Sequence, residues 1–235
     1  MTDADAARSV GVVVVAAGSG SRLGADRPKA FVELHDEPIL LHALEGVHTV
    51  DAVTALVVVV PADRLAETQE LVDLHLGCPC FASSVVAGGA ERTDSVRAGL
   101  VALPDELEIV LVHDAARCLT PTAVFERVID AVAGGAAGAV PGIPVVDTVK
   151  TVDPAGVITG TPDRATLRAI QTPQGFAADI LRAAYAADVA ATDDAALVEL
   201  TGHNVVVVDG DALAFKITTS DDLERAERVL AGGER

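Results

Sequence analysis

The chain has 235 residues, half of them apolar, and a formal net charge of −18 at pH 7. This length and apolar content suffice for a substantial core, and we expect one domain over residues 1–235. The negative charge argues against nucleic acid as a partner, because binding a phosphate backbone needs a broad cationic surface.

The N-terminal residues and the cysteines predict the compartment. Met1 to Asp5 form an acidic start without the basic n-region of a signal peptide, and the longest apolar runs are strand-sized. Cys78 and Cys80 form a C-x-C pattern with no second pair, and the third cysteine is Cys118. This spacing favours buried or idle thiols over a zinc site or a disulfide framework. We expect a cytoplasmic protein with no membrane partner.

The first predicted strand, residues 12–17, opens into a glycine-rich loop, Gly18-Ser19-Gly20-Ser21-Arg22-Leu23-Gly24, with Lys29 close behind. Glycines let backbone N–H groups approach an anion closely, while Arg22 and Lys29 supply fixed positive charge. Lysine occurs at three positions in the whole chain: Lys29, Lys150 and Lys216. The pattern predicts a polyphosphate site, as in a nucleotide-binding protein.

Three other interpretations of this loop are open. A Walker A loop ends in Gly-Lys-Ser/Thr, whereas this one ends Ser21-Arg22-Leu23. A dinucleotide fingerprint needs G-x-G-x-x-G, and Gly18, Gly20 and Gly24 are spaced one residue too widely. A tight turn without any ligand would leave the two cations as ordinary solvated side chains.

Apolar valine-rich runs alternate with amphipathic segments along the chain. The runs predict strands at 12–17, 55–60, 84–87, 109–113, 136–140 and 205–208. The amphipathic segments predict helices at 39–48, 63–75, 93–103, 122–133 and 177–187, another starting near Asp193, and a last one capped around Ser220. This alternation predicts an α/β fold with a mostly parallel, Rossmann-like sheet flanked by helices on both faces. Ligands of such sheets bind at the carboxyl ends of the strands.

Residues 142–158 break the alternation and predict two short strands around a Pro-Ala-Gly turn. An isolated hairpin is marginally stable in water, so another surface is needed to support it. We expect a projecting β-arm over about residues 142–165 that pairs with a second copy of the chain in a homodimer.

An ordered set of motifs resembles one family, the 2-C-methyl-D-erythritol 4-phosphate cytidylyltransferases. The set comprises Ala16 to Leu23 with Pro28-Lys29, Gly88 to Val96, His113 to Arg117, Asp147 to Lys150, Asp163-Arg164, Thr172 to Gln174 and Lys216 to Thr218. These motifs run in the family's order over about residues 12–230. The resemblance implies attack by a phosphate oxygen of methylerythritol phosphate on the α-phosphorus of CTP, with release of pyrophosphate.

The resemblance also implies roles for individual residues. It assigns catalysis to Arg22, Lys29, Arg164 and Lys216, and magnesium or another divalent cation to Asp114. It assigns CTP contacts to Ala16, Ala17, Gly18, Ser19, Gly20, Gly89, Ser95 and Ala115. The sugar phosphate is assigned to Arg117, Thr148 and Lys150, although Lys150 could equally be only a cation of the arm. Since the family supplies arm residues from the neighbouring subunit, Thr148 and Arg164 are expected to complete the partner's site.

Other side chains near these motifs have structural interpretations. His113 should point to the opposite side of its strand from Asp114, which favours a structural histidine. Arg92 could position the Gly88-Gly89 segment or cap a helix. Cys118, Val146 and Ala214 depart from the residues common in the family, and the change at Ala214 leaves the surroundings of Lys216 open.

Three rival functions remain at this stage. A ribitol 5-phosphate cytidylyltransferase would use a similar short polyol phosphate. A regulatory module would bind CTP without turnover, but the paired cations and Asp114 argue against it because binding alone needs no stabilisation of a transition state. An NAD-dependent oxidoreductase would bind a dinucleotide instead.

Overall fold

A computed structural model describes residues 9–18, 27–77, 82–187 and 191–232 of the chain. The strands of these residues are β1 Val10–Val15, β2 Glu33–Leu34, β3 Glu37–Pro38, β4 Val53–Val60, β5 Ala82–Ala87, β6 Ile109–Asp114, β7 Gly138–Pro144, β8 Thr151–Val152, β9 Ile158–Gly160, β10 Arg168–Ile170, β11 Gln174–Ala177 and β12 Val205–Asp209. The helices are α1 Ile39–His48, α2 Leu65–Leu76, α3 Arg92–Ala102, α4 Thr122–Ala133, α5 Ala178–Ala186, α6 Asp194–Leu200 and α7 Ser220–Ala231.

The main sheet has eight strands, of which seven follow the order β10-β7-β11-β6-β1-β4-β5 and the eighth, β12, also pairs with β7. Strands β1, β4, β5 and β6 pair in parallel, and β12 is parallel to β7. Strand β11 runs antiparallel to both β6 and β7, so β6 and β7 share one direction. The predicted mostly parallel, Rossmann-like sheet is confirmed.

Helices cover both faces of this sheet, as the sequence predicts. Val12 and Val14 of β1 point into a core shared with α1, α2, α4 and α7. Val13, between them, points into a second core shared with α3, α5 and α6. Successive side chains of a strand face opposite ways, so an unbroken valine run serves both layers. No helix of the described residues has the length and apolar character to cross a membrane.

Two antiparallel strands, β10 and β11, are absent from the sequence prediction. Strand β11 is four residues long and includes Gly175, at which a Cβ would lie 2.4 Å from Val128 Cγ1. A run this short shows no hydrophobic period, and its glycine is required by close packing on α4 rather than by a turn. Residues 142–144 also differ from the prediction. They end β7 in the main sheet instead of beginning the arm, since β10 pairs with all three residues and β12 pairs with Gly142.

The predicted hairpin is present beyond the end of β7. Strands β8 and β9 form their own antiparallel pair, separate from the main sheet. Asp153 closes the turn by accepting hydrogen bonds from the backbone N–H groups of Ala155 and Val157, and Gly156 has a φ of +82°. Glycine adopts this left-handed conformation without strain, which explains its place in the turn.

The sheet brings the predicted functional segments to one edge. Val15, the last residue of β1, is paired with Asp114, the last residue of β6. Strand β5 ends at Ala87, directly before the Gly88-Gly89 turn. Because these strands are parallel, their carboxyl ends form one rim, and the loops that follow them meet there.

Candidate active site

A pocket lies at this rim and unites residues from five segments of the chain. Its described lining consists of Val15, Ala16, Ala17, Gly18, Lys29, Ala30, Gly89, Ala90, Glu91, Arg92, Ser95, Asp114, Ala115, Ala116 and Lys216. Nine of the predicted site residues are in this lining. Three others, Ser19, Gly20 and Arg22, lie outside the described residues.

Asp114 is the negative centre of the pocket. It is 8 % exposed, and its carboxylate accepts hydrogen bonds from Lys216 Nζ at 2.6 Å and from Arg92 Nε at 3.3 Å. Burial alone would raise the pKa of the carboxyl. The positive charges of Arg92 and Lys216, with the Lys216 hydrogen bond, outweigh burial and hold that pKa well below its usual range. Asp114 is therefore ionised at neutral pH.

Arg92 connects Asp114 to a second carboxylate behind the pocket. Its Nη2 lies 2.8 Å from Oδ2 of Asp194, which has no solvent exposure. The Tyr185 hydroxyl donates to the other oxygen of Asp194. Burial lowers the pKa of Arg92, but Asp194 and Asp114 more than reverse this and raise it. The sequence left Arg92 either to position the Gly88-Gly89 segment or to cap a helix, whereas its side-chain hydrogen bonds go to Asp114 and Asp194.

Asp194 and Tyr185 were missed by the sequence prediction. Asp194 begins α6, and Tyr185 lies on α5. The sequence signal was an Asp193-Asp194 pair at a helix start, where one carboxylate suffices as a cap. Asp193 is that cap, accepting from the N–H of Ala196, so the second carboxylate is available to Arg92.

The turn at Gly88 and Gly89 leads into a wall of the pocket, which Gly89 and Ser95 line. The Gly89 N–H donates to Ser95 Oγ at 3.2 Å, and Ser95 Oγ donates to the Glu91 carbonyl at 3.2 Å. A Cβ at Gly88 would lie 2.5 Å from Ala17 Cβ, and one at Gly89 would lie 2.3 Å from Asp94 Cβ. Only glycine fits at both positions, so this wall presents backbone and small groups to a ligand.

The two lysines reach the pocket from distant parts of the chain. Lys29 begins a short 3₁₀ turn, Lys29–Phe31, whose Phe31 is buried. Lys216 follows another 3₁₀ turn, Ala212–Ala214, in which Asp211 caps the N–H of Leu213. Both lysine side chains line the same cavity as Asp114, so the lining of this cavity carries charges of both signs.

His113 lies on the far side of β6 from Asp114, as the sequence predicts. Its ring is 1 % exposed, packs 5.0 Å from the Phe125 ring and contacts Thr172 Oγ1 at 3.0 Å. Burial lowers the pKa of His113 to about 4, so the ring is neutral at pH 7. It is not part of the pocket lining.

Arg117 contacts backbone carbonyls and lies outside the described lining of the pocket. Its guanidinium donates to the Ala214 carbonyl at 2.7 Å and the Ile170 carbonyl at 3.3 Å, and it is not part of the pocket lining. These contacts tie the segment before Lys216 to β10. A substrate contact from Arg117 stays a prediction.

The arm residues are also away from the pocket of their own chain. Thr148, Lys150 and Arg164 are exposed. Lys150 Nζ donates to Thr161 Oγ1 at 2.7 Å, and Arg164 Nη1 donates to the Val146 carbonyl at 2.7 Å. Both contacts are within the arm, and none of the three residues belongs to the described lining of the pocket that contains Asp114.

Comparison with known proteins gives one consistent result. The family model for 2-C-methyl-D-erythritol 4-phosphate cytidylyltransferase matches residues 10–232. A protein of that name from Nocardia farcinica is 55% identical over 230 residues, covering 98% of this chain and 97% of that protein. Another from Rhodococcus jostii is 49% identical over 231 residues, covering 98% and 99%. The crystal structure of 4-diphosphocytidyl-2C-methyl-D-erythritol synthase from Anaerococcus prevotii superposes with a TM-score of 0.84 at 27% identity, covering 96% and 97%.

Proposed function

The chain belongs to the 2-C-methyl-D-erythritol 4-phosphate cytidylyltransferase family, and from this premise we propose how its pocket carries out the reaction. The enzyme transfers the cytidylyl group of CTP to 2-C-methyl-D-erythritol 4-phosphate. The products are 4-diphosphocytidyl-2-C-methyl-D-erythritol and pyrophosphate, in the non-mevalonate synthesis of isoprenoid precursors. The observation that carries the mechanism is the convergence of Lys29, Lys216 and Asp114 on one pocket beside the Gly89–Ser95 wall.

The reaction needs positioning and charge neutralisation more than proton transfer. A phosphate monoester has a second pKa of about 6, so its dianion attacks without a general base. One of its oxygens bonds to the α-phosphorus of CTP, and the bond from that phosphorus to the bridging oxygen of pyrophosphate breaks. The absence of His113 from the pocket lining agrees with this chemistry.

Lys29 and Lys216 are proposed to neutralise charge as it shifts from the attacking to the leaving group. Arg22, in the predicted polyphosphate loop, is proposed to act with them. Removing such a donor from a closed site typically costs about 3 kcal/mol of barrier, roughly a hundredfold in rate. Lys216 also contacts Asp114 directly, so it is held at the pocket before substrate binds.

Asp114 is proposed to hold a magnesium ion together with the phosphates of CTP. Magnesium prefers one or two carboxylates plus phosphate oxygens and water over an all-protein cage. Asp114 fits this preference, since it is ionised and has about four acceptor positions, of which Arg92 and Lys216 use two. When bound, the ion would neutralise charge on the reacting phosphates.

Cytosine is proposed to lie against the wall formed by Gly89 and Ser95, with Ala16, Ala17 and Gly18 along the nucleotide. The wall offers backbone groups and one small hydroxyl. Glycine at positions 88 and 89 lets a base approach their backbone groups closely, and this close approach is proposed to select a pyrimidine.

The arm is proposed to complete the site of a second chain in a homodimer. Its apolar side chains are exposed in a single chain: Val146 by 78 %, Val152 by 58 %, Val157 by 61 % and Ile158 by 59 %. Such a patch on a two-stranded hairpin favours burial against another copy. Thr148, Lys150 and Arg164 would then contact the acceptor phosphate in the partner's pocket.

Pyrophosphate release tests the reaction. CTP and magnesium would be incubated with 2-C-methyl-D-erythritol 4-phosphate, with ribitol 5-phosphate and without acceptor. We expect release with the first acceptor alone. Release only with ribitol 5-phosphate would change the acceptor, and no release with either would contradict the catalytic role of the pocket.

A mixed dimer tests the shared site. Lys29→Ala and Arg164→Ala chains, each of low activity alone, would be combined and refolded together. If the arm serves the partner, one site of each mixed dimer has both residues intact, and activity returns. Mixtures that stay as inactive as the separate variants would place Arg164 in its own chain's site.

A further inference from the structure

A second cluster of acidic and imidazole side chains lies where β3 meets α1. Glu37 is on β3, and His42 and Glu45 lie three residues apart on α1, so they share one face of the helix. One ligand atom from each residue lies within 4.8 Å of the other two. None of the three lines the candidate active site, and the proposed reaction does not use them.

The hydrogen bond of His42 determines which ring nitrogen carries the proton. Nε2 lies 2.7 Å from the carbonyl oxygen of Leu34. A carbonyl only accepts, so Nε2 is the donor and Nδ1 of the neutral ring carries a lone pair. The His42 side chain is 4 % exposed, and its buried Nδ1 has no hydrogen-bond partner among the described residues.

The unpartnered nitrogen faces carboxylate oxygens instead of donors. Nδ1 lies 3.9 Å from Oε2 of Glu37, which is too far for a hydrogen bond. A buried acceptor without a donor costs free energy, and two nearby carboxylates add repulsion to its lone pair. A cation between the three groups would remove both costs.

We propose that Glu37, His42 and Glu45 form a binding site for a divalent transition metal ion, with Zn²⁺ as the best fit. An imidazole among the ligands favours Zn²⁺ over the oxygen-seeking ions Mg²⁺ and Ca²⁺. Metal-binding histidines usually donate their other ring N–H to a carbonyl or carboxylate, as Nε2 does here to Leu34.

The geometry allows the ligands to close on an ion. Donor atoms around tetrahedral Zn²⁺ lie roughly 3.4 Å apart, somewhat less than the 4.8 Å limit of the cluster. The Glu37 side chain is 44 % exposed and can rotate inward, whereas buried His42 supplies the fixed ligand. His42 and Glu45 also line a cleft of about 310 Å³ with Thr49 and Cys118, which provides an entry path.

The position of the site suggests what the ion does. Helix α1 packs against the turns Lys29–Phe31 and Ala115–Arg117. The first turn carries Lys29 and the second follows Asp114. An ion joining β3 to α1 would brace the support behind both residues without touching substrate.

Calorimetric titration of Zn²⁺ into the metal-free full-length protein tests the site. We expect one equivalent to bind, and Glu45→Gln and Glu37→Gln each to weaken it about 10-fold or more while circular dichroism stays unchanged. The double variant His35→Gln/Glu227→Gln is the matched control, because this exposed pair has a similar separation of 3.8 Å but has no third ligand among the residues that the structure describes. It should bind Zn²⁺ as the wild type does.

Nitrogen-15 NMR of the histidine rings gives an independent readout. Zn²⁺ should shift the His42 Nδ1 resonance, with Nε2 remaining protonated. A doubly protonated His42 ring that ignores Zn²⁺ would show an ion pair and overturn the proposal. So would Zn²⁺ binding that survives Glu45→Gln and disappears in Asp114→Asn, since that ion would be in the catalytic pocket. Neither result depends on whether the protein turns over CTP.

Discussion

Replacing Arg92 by methionine tests the ionic network behind the active site. Arg92 donates to Asp194 at 2.8 Å and to Asp114 at 3.3 Å, and the Asp194 side chain is wholly buried. Methionine retains much of the aliphatic stem but carries no charge. Among the described residues, the Tyr185 hydroxyl would then be the side-chain donor left to Asp194.

The expected loss of stability follows from this burial. Removing one partner of a buried ion pair costs about 3 to 5 kcal/mol, because the other charge stays uncompensated. The Arg92 side chain is 30 % exposed, so solvent screens part of the interaction and the lower value applies. We expect about 3 kcal/mol of lost unfolding free energy, or a fall in Tm of roughly 6 to 12 °C for a chain of this size.

A second substitution separates stability from catalysis. Asparagine at position 194 keeps the shape of Asp194 and can accept from Tyr185, but it removes the orphaned charge. Arg92→Met/Asp194→Asn should therefore recover most of the lost stability. Pyrophosphate release should be low in Arg92→Met and in the double variant alike, because Asp114 lacks one of the two cations that orient it in both.

Urea unfolding followed by circular dichroism, with pyrophosphate release measured alongside, gives both readouts. Arg228→Met is the control, since its side chain is 70 % exposed and its pair with Glu224 spans 3.8 Å. We expect a change of about 0.5 kcal/mol or less there. A wild-type midpoint for Arg92→Met, or an added loss on introducing Asp194→Asn, would refute the reasoning from buried charge.

Three further outcomes are expected. Lys29→Ala should lower turnover about a hundredfold with the unfolding midpoint unchanged, whereas Arg228→Ala should match the wild type in both measurements. Gly89→Ala should raise KM for CTP, because its Cβ would lie 2.3 Å from Asp94 Cβ and displace the wall. The control Gly46→Ala, inside α1 and 3.9 Å from the nearest atom, should leave KM unchanged and keep or raise the free energy of unfolding. Equal KM values for the two variants would contradict the proposed cytosine wall. The pKa of His113 falls on folding from about 6.5 to about 4, so the unfolded state binds more protons between these pH values. The free energy of unfolding should therefore drop by about 3 kcal/mol as pH falls from 6.5 to 4. The urea midpoint of His113→Gln should change less with pH over this range, and a slope identical to that of the wild type would argue against a buried neutral ring.

Helices and strands with a strong local period were predicted well from the sequence. Helices α1 and α4 begin and end at the predicted residues, 39–48 and 122–133. Their apolar side chains repeat at the helical period over ten residues or more, a signal that no distant contact has to supply. Strands β10 and β11 show no such signal, because they are three and four residues long and depend on partners elsewhere in the chain.

Some residues of the site could likewise be predicted from the local sequence, and others could not. Lys29 comes after the glycine-rich loop, and the Gly88-Gly89 turn and Asp114 each follow a predicted strand, so their position at the rim could be predicted from a parallel α/β sheet. Lys216 was found through its motif, and its contact with Asp114 spans 102 positions. No local pattern predicts that distance.

The sequence by itself determined the layered α/β architecture, the edge of the sheet that carries the site and the family of the chain. The architecture and the edge depend on backbone preferences and hydrophobic period, which act between near neighbours, whereas the family was indicated by the ordered set of motifs. Only the tertiary structure decided that Arg92 joins Asp114 to buried Asp194. It also decided that Arg117 donates to backbone carbonyls and that the unpartnered Nδ1 of His42 lies near Glu37. Those contacts depend on the order of strands and on which polar groups remain without partners after packing, and both are properties of the whole folded chain.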